Sequence, residues 1–231
     1  MAFDAPGPRH GSSTRLLILG CVRIFQPVHG YFLRRELLSW HVDEWAAVHP
    51  GSIYNALRSL SAQGLLAEAP TAVGGPRPAR TSYRLTAEGD ATYGALLRRS
   101  LTSLDDPTSL LVAVSFAPSL SRAEAIALIE TRAHLLGSQV ERAPGELAAY
   151  LARPDSPPSS SETMRVMVAR AAGELQWCEE YLERLRGGAY AFLGEEPDWT
   201  PSAEQIAAAA AAGVGRSVDA AVPEADGSHL A

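Results

Sequence analysis

The segment from Pro50 to Leu66 has the apolar spacing of one buried helical face. Its apolar residues recur at i, i+4 and i+7 and are Ile53, Leu57 and Leu60. Pro50 suits the first helical turn, where its missing N–H leaves no hydrogen bond unmade. Gly64 is typical of a helix end, and an apolar pair follows it directly. The pattern predicts an amphipathic helix that leads into a strand.

The opposite face of this predicted helix is polar. It carries short hydrogen-bonding side chains, one phenol at its edge and one guanidinium, and the residues are Ser52, Tyr54, Asn55 and Arg58. Such side chains bind base edges and phosphates in the major groove of DNA. An ordinary surface helix of a globular domain can show the same pattern, so the helix alone does not decide the function.

The residues after the helix predict a β-hairpin. Residues 73–79 are rich in Gly and Pro and include Arg77, while Arg80 follows them. Residues 81–86 alternate as a half-buried strand should. A helix followed by two strands and an arginine-bearing tip indicates a winged helix-turn-helix, with a further helix capped by Thr86. The expected fold class is mostly α.

Four segments carry a resemblance to a known family: His29-Gly30-Tyr31, Pro50-Gly-Ser-Ile-Tyr-Asn-Ala-Leu57, Gly64-Leu-Leu66 and Tyr83-Arg-Leu-Thr-Ala-Glu-Gly89. With them the chain resembles the PadR family of bacterial transcriptional regulators over roughly residues 14–101, and more loosely to about residue 187. One position departs from the family pattern. The family usually has Ser or Thr before the Pro-Gly pair, whereas this chain has His49.

The resemblance implies a homodimeric repressor that binds a double-stranded DNA operator. Each subunit would lay the Pro50 helix in a major groove and its wing on the adjacent backbone or minor groove. Ser52 and Asn55 would then contact base edges or phosphates, and Arg58 a guanine or a phosphate. Tyr54 would bind phosphate or support the wing, and the wing contacts would come from Arg77 and Arg80. A small aromatic or drug-like effector is a further expected partner.

The last long predicted helix, from about Glu162 to Arg186, has a heptad pattern. Apolar residues step by four and three along it: Met164, Val168, Ala171, Leu175, Cys178, Leu182 and Leu185. This seam can pack inside one subunit or against a second copy. Together with the resemblance it favours the second copy, so these residues are the expected dimerisation surface. Trp177 and Tyr181 adjoin the seam as candidate anchors in a pocket or an interface.

These patterns divide the chain into four parts. Residues 1–13 are expected to form a disordered arm, residues 14–103 the winged helix-turn-helix domain, and residues 107–187 a helical, coiled-coil-like dimerisation domain. Residues 188–231 are expected to be a largely disordered tail, mobile after about residue 200. The alanine run there can form a short helix by propensity alone.

The net charge of −6 is unevenly distributed. Residues 1–103 hold 11 Arg and 7 acidic residues, a net charge of +4, and the remaining residues hold 9 Arg and 19 acidic residues, a net charge of −10. All the basic residues are Arg. A basic first half suits DNA binding, and the acidic second half should be repelled by DNA.

Other functions find little support in the sequence. Cys21 and Cys178 lack metal-ligand spacing and are predicted to be buried thiols, which fits a cytoplasmic protein. His29, His41 and His49 lack the i, i+4 spacing of a helical metal site, and no catalytic or cofactor motif occurs. We therefore expect no enzyme, no metal and no cofactor. The alternative is a winged helix that serves as a protein-interaction or scaffold module.

Overall fold

The computed structural model describes residues 10–46, 48–70 and 81–211. Helices dominate, and three short strands form the sheet of the described part of the chain. The elements in chain order are α1 His10–Phe25, β1 Val28–His29, α2 Gly30–Ser39, α3 Val42–Trp45, α4 Pro50–Ala62, β2 Leu66–Pro70, β3 Thr81–Leu85, α5 Ala87–Thr102, α6 Pro107–Phe116, α7 Arg122–Leu151, α8 Ser161–Arg186 and α9 Ala203–Ala210.

Helix α1 is the centre of the winged domain. Residues 16–22 are buried without a break, because α2, α4, α5, α6 and β3 all pack around this helix. Cys21 lies among them, and burial raises the pKa of its thiol far above the ordinary value. The helix begins at His10, within the segment for which a disordered arm was predicted, and residues 1–9 lie outside the described residues.

The sheet has the order β1-β3-β2, and both pairs of strands are antiparallel. In its register Glu68 lies opposite Tyr83 and Leu66 opposite Leu85. Strands β2 and β3 are consecutive in the chain and pair with each other, and residues 71–80 between them lie outside the described residues. The helical elements with this small sheet confirm the predicted winged helix fold.

A compact junction joins α4 to α5. Gly64 ends the turn after α4 with a φ of +73°, a conformation that glycine adopts without steric cost. The backbone N–H of Thr86 donates to the carbonyl of Leu65 at 3.1 Å. The Thr86 hydroxyl oxygen accepts from the N–H of Gly89 at 3.0 Å, which confirms the predicted cap of α5.

Helices α7 and α8 form an antiparallel pair and pack along their lengths. Four residues of the heptad seam are buried in this single chain: Ala171, Cys178, Leu182 and Leu185. The other three are half-buried: Met164, Val168 and Leu175. The seam therefore has an intrachain partner, and a second copy could reach its buried members only if α8 left α7. Burial also raises the pKa of the Cys178 thiol to about 11, and both cysteines are buried as predicted.

The segment after α8 differs from the predicted mobile tail. Arg122 at the start of α7 binds this segment by donating to the carbonyls of Ala189 and Tyr190, and it also donates to the carbonyl of Leu185 near the end of α8. Helix α9 then returns to the winged domain and packs against β1, α1 and α2, where Ala209 is fully buried. Ser202 and Gln205 form a capping box at its start. Alanine-rich sequence shows no amphipathic stripe, but small side chains allow close packing. Residues 212–231 lie outside the described residues.

Candidate nucleic-acid interface

Helix α4 has the two faces predicted from the sequence. Ile53, Leu57 and Leu60 are buried in the winged core. The opposite face is formed by Ser52, which is half-buried, and by Tyr54, Asn55 and Arg58, which are exposed. Burial of the apolar face fixes the helix on the domain, so the polar face points to solvent on a rigid support.

The start of α4 is capped in an unusual way. His49 has the extended conformation expected of the residue before a helix, and no hydrogen bond from its side chain caps the first turn among the described residues. Instead, the backbone N–H and the hydroxyl of Ser52 both donate to the carbonyl of His49, at 2.9 and 2.6 Å. Ser52 thereby stabilises the turn, and its hydroxyl oxygen remains available as an acceptor.

Asn55 and Arg58 form a pair on the exposed face. Nη2 of Arg58 donates to Oδ1 of Asn55 at 2.6 Å. The two residues are three positions apart, the separation at which helical side chains meet. They therefore present one joined surface rather than two independent side chains.

Tyr54 on α4 packs against the start of α2. A Cβ on Gly30 would lie 3.1 Å from Cε1 of Tyr54, so the ring packs against the bare backbone where α2 begins. This contact gives the glycine of the His29-Gly30-Tyr31 segment a packing role. Tyr54 nevertheless remains 41 % exposed, which leaves its ring partly available to a ligand.

Electrostatic coupling links α4 to both strands of the wing. Partial burial raises the pKa of the Tyr83 phenol on β3. The negative charge of Glu68 on β2 raises that pKa further, Arg58 lowers it, and Tyr54 raises it slightly. Glu68 lies opposite Tyr83 in the sheet and α4 packs against β2, so the helix meets the hairpin here.

Two of the predicted site residues, Arg77 and Arg80, lie outside the described residues. The structure adds Arg84, which is exposed on β3 opposite Ala67. The sequence analysis did not single out Arg84, although an arginine within a predicted wing strand was a usable signal. Tyr31 at the start of α2 is also half exposed.

Among the described residues, no group of three or more His, Cys, Asp or Glu side chains is arranged to hold a metal ion. His41 and Glu44 approach each other to 3.5 Å as an isolated exposed pair. No helix in the described ranges has the length and apolar character needed to cross a membrane.

The solved structures similar to this chain include three with high coverage but low TM-scores. Bacillus subtilis PadR in complex with operator DNA is 21 % identical, with 74 % of this chain and 98 % of that chain covered and a TM-score of 0.33. The protein smu.1604c from Streptococcus mutans UA159 is 20 % identical, with 73 % and 98 % covered and a TM-score of 0.32. Bacillus subtilis PadR is 16 % identical, with 79 % and 99 % covered and a TM-score of 0.31. TM-scores this low do not support a detailed overlay.

Comparison with curated proteins finds no match to this chain. The family comparison is more informative, since residues 18–95 match the family described as "Transcriptional regulator PadR-like family". This match runs from α1 into α5 and includes all of α4 and the wing. Residues 18–95 of this chain form a PadR-like domain, the domain of a family of transcriptional regulators.

Proposed function

We propose that this chain is a sequence-specific DNA-binding transcriptional regulator that acts in the cytoplasm as a homodimeric repressor. One observation carries the proposal: the exposed polar face of α4 lies beside the wing within the PadR-like domain. An α-helix fits the major groove of B-DNA, where side chains distinguish the base pairs by hydrogen bonding. The polar face of α4 has the donors and acceptors for this task.

The residues of this surface have distinct proposed roles. The joined Asn55–Arg58 pair faces the DNA, with Arg58 in contact with a guanine or a phosphate, and Ser52 supports the first turn and accepts hydrogen bonds. Tyr54 places its ring beside the wing with the hydroxyl available to a phosphate. Arg77, Arg80 and the exposed Arg84 on β3 contact phosphates, which would position the domain without sequence preference. The net charge of +4 over residues 1–103 supports this orientation.

The homodimer is proposed on two grounds. Operators bound by helix-turn-helix proteins are commonly read by two copies of one helix, one helical turn of DNA apart. The long α7–α8 pair also keeps apolar side chains at its surface, among them Leu135, Val166 and Met167. Because α7 covers much of the heptad seam, we place the contact between copies along the exposed flank of α8 and the half-buried seam residues.

Relief of repression by a small aromatic effector is part of the proposal and rests on the family resemblance. Stacked aromatic rings on α8 support it. The rings of Trp177 and Tyr181 are 5.1 Å apart and nearly parallel, and Tyr190 lies 6.3 Å from Tyr181. Titration of a preformed protein–DNA complex with small aromatic compounds tests this step, and release of the DNA is the expected result.

The decisive experiment is a gel shift with DNA from upstream of the chain's own coding region. We expect a discrete complex that survives an excess of random duplex, because specific affinities exceed non-specific ones by about 10³-fold or more. Equal competition by random duplex would contradict a sequence-specific regulator. It would favour the alternative, a winged helix that serves as a protein-interaction scaffold.

A further inference from the structure

The hydrogen bond between Asn55 and Arg58 determines which groups α4 can offer to DNA. A guanidinium has donors and no acceptor, so the amide of Asn55 must turn its oxygen toward Arg58. The Asn55 nitrogen then points away from this bond, and within the described ranges the remaining N–H groups of Arg58 have no other hydrogen-bond partner. The pair therefore presents a surface of donors on the exposed face of α4.

The bases differ in how well they match such a surface. Guanine shows two acceptors, N7 and O6, in the major groove, whereas adenine shows one acceptor and one donor, and cytosine shows a donor. Asparagine commonly binds adenine with its amide oxygen accepting from N6. In this chain that oxygen already accepts one hydrogen bond from Arg58, so only one of its two lone pairs is left for N6. A donor surface of this kind matches guanine best.

A neighbouring side chain restricts where Arg58 can go. Asn55 holds it from the helix itself, one turn earlier in the chain. A long arginine held by such a bond loses less conformational freedom on binding than a mobile one.

We propose that Asn55 is a positioning residue that holds Arg58 for recognition of a guanine in the operator. This inference rests on the proposed function and adds the base that α4 recognises and the division of work between two side chains. Arg58 makes the bidentate contact with O6 and N7. Asn55 acts through Arg58, so its contribution should vanish when Arg58 is absent.

The test begins with selection of sites from a randomised duplex pool by the full-length wild-type protein. A guanine in the enriched site is then replaced by 7-deazaguanine, which removes the N7 acceptor and keeps the base pair. Wild-type protein should lose affinity for the replaced site, and Arg58→Ala should lose about 5- to 150-fold on the unmodified site. Arg58→Ala should no longer distinguish guanine from 7-deazaguanine.

A double-mutant cycle separates positioning from direct contact. Asn55→Ala should lower the preference for guanine over 7-deazaguanine by at least about twofold in the wild-type background, and it should change nothing in the Arg58→Ala background. Asn55→Asp keeps an oxygen for Arg58, so it should keep the preference while the added negative charge weakens all binding. Gln63→Ala removes an exposed bond to Ser59 at the end of the same helix and is the matched control.

The outcomes separate the two proposals. A wild-type protein that enriches no sequence would overturn the proposed function and this inference with it. A wild type that enriches a sequence, combined with additive losses in the cycle, would overturn the positioning role alone. Equal binding of guanine and 7-deazaguanine sites by wild type would show that the pair contacts phosphate, and would overturn the guanine assignment. Circular dichroism of each variant confirms that α4 is folded.

Discussion

Arg132 of α7 and Glu174 of α8 form an ion pair, with Nε of the guanidinium 2.6 Å from Oε1 of the carboxylate. The Arg132 side chain is only 1 % exposed. Its Nη1 also donates to the carbonyl of Ser103 at 2.6 Å, just after α5. One buried arginine therefore joins the last helix of the PadR-like domain to both long helices of the C-terminal region.

Substitution of this pair should weaken the connection between the two regions. Arg132→Met removes the bonds to the end of α5 and leaves Glu174 without its cation, and loss of one partner of a buried pair costs up to about 3–5 kcal/mol. Glu174 keeps 24 % exposure, so the loss should fall toward the lower end. Glu174→Gln keeps an oxygen that accepts from Arg132 but leaves the buried guanidinium without its counterion, so it should also lower stability. Urea unfolding measures both, and equal stability of Arg132→Met and wild type would contradict the role.

Gly89 at the start of α5 should not tolerate a side chain. A Cβ at this position would clash with the carbonyl oxygen of Leu65. That oxygen belongs to the backbone and cannot turn away. Overpacking of this kind costs about 1–3 kcal/mol or more, so Gly89→Ala should lower the midpoint of thermal unfolding clearly.

Gly137→Ala in α7 is the matched control for this prediction. A Cβ there meets nothing within 4 Å, and alanine favours a helix over glycine by about 1 kcal/mol. We expect Gly137→Ala to be neutral or stabilising. A Gly89→Ala variant as stable as Gly137→Ala would contradict the close packing of α5 on the Leu65 turn.

Leu175→Asp tests the proposed dimer. Leu175 is half-buried in the heptad seam, and a charge there disturbs both the packing on α7 and any contact with a second copy. We expect a monomer with a folded winged domain and weak operator binding. In a dimer the second subunit binds its half-site at an effective concentration in the millimolar range. A monomer lacks this contact, so its affinity for the full operator should fall by a factor of about 10² to 10⁴.

Sedimentation and a binding titration on the same sample measure this effect. Ala148→Asp places the same charge on an exposed position of α7, outside the proposed contact along α8, and should stay dimeric. A Leu175→Asp monomer that binds the full operator with wild-type affinity would exclude dimerisation from the mechanism. A persistent dimer would place the seam inside one subunit.

The wing arginines should act through phosphates. Arg77→Ala and Arg80→Ala should weaken binding to all DNA sequences alike, because phosphate contacts carry no sequence information. Each lost contact should reduce the slope of log affinity against log salt concentration by about 0.9. Fluorescence anisotropy at several salt concentrations measures the slope. An unchanged slope in both variants would remove these residues from the interface.

Acid should loosen the segment after α8. Glu195 accepts from Nε and Nη2 of Arg122 at 2.8 and 2.7 Å and from the N–H of Phe192 at 3.0 Å. The hydrogen bond from Arg122 is the main reason that the pKa of Glu195 lies below its usual 4.5. A lowered folded-state pKa contributes stability that is complete above the unfolded pKa and is lost as the pH falls through the folded one.

Glu195→Gln should therefore reduce the dependence of thermal stability on pH below about pH 4.5. Its stability should be lower than that of wild type near neutral pH and should approach it in acid. Glu196→Gln alters the exposed carboxylate next in the chain and is the matched control. Parallel curves for wild type and Glu195→Gln would show that the Arg122 pair contributes nothing to stability.

Local patterns were sufficient to predict much of the winged domain. The spacing of Ile53, Leu57 and Leu60 fixed which face of α4 is buried, and the same spacing left Asn55 and Arg58 at the surface. Thr86 identified the start of α5 because a capping side chain acts within three residues of itself. Such features depend on neighbours along the chain, so periodicity and turn chemistry reveal them.

What the tertiary structure decided involves residues far apart in the chain. The heptad of α8 specified an apolar face. Its spacing does not determine whether that face packs on α7 or on a second copy. An arginine read from sequence is expected at the surface, and only the approach of α5 and α8 explains why Arg132 is buried. The alanine run of α9 shows no apolar stripe in the sequence. Its position follows from contacts such as the hydrogen bond between His29 and the carbonyl of Ala210, 181 residues apart. The sequence determined which faces are apolar, and the fold determined what covers them, because covering a face depends on the shape of distant elements.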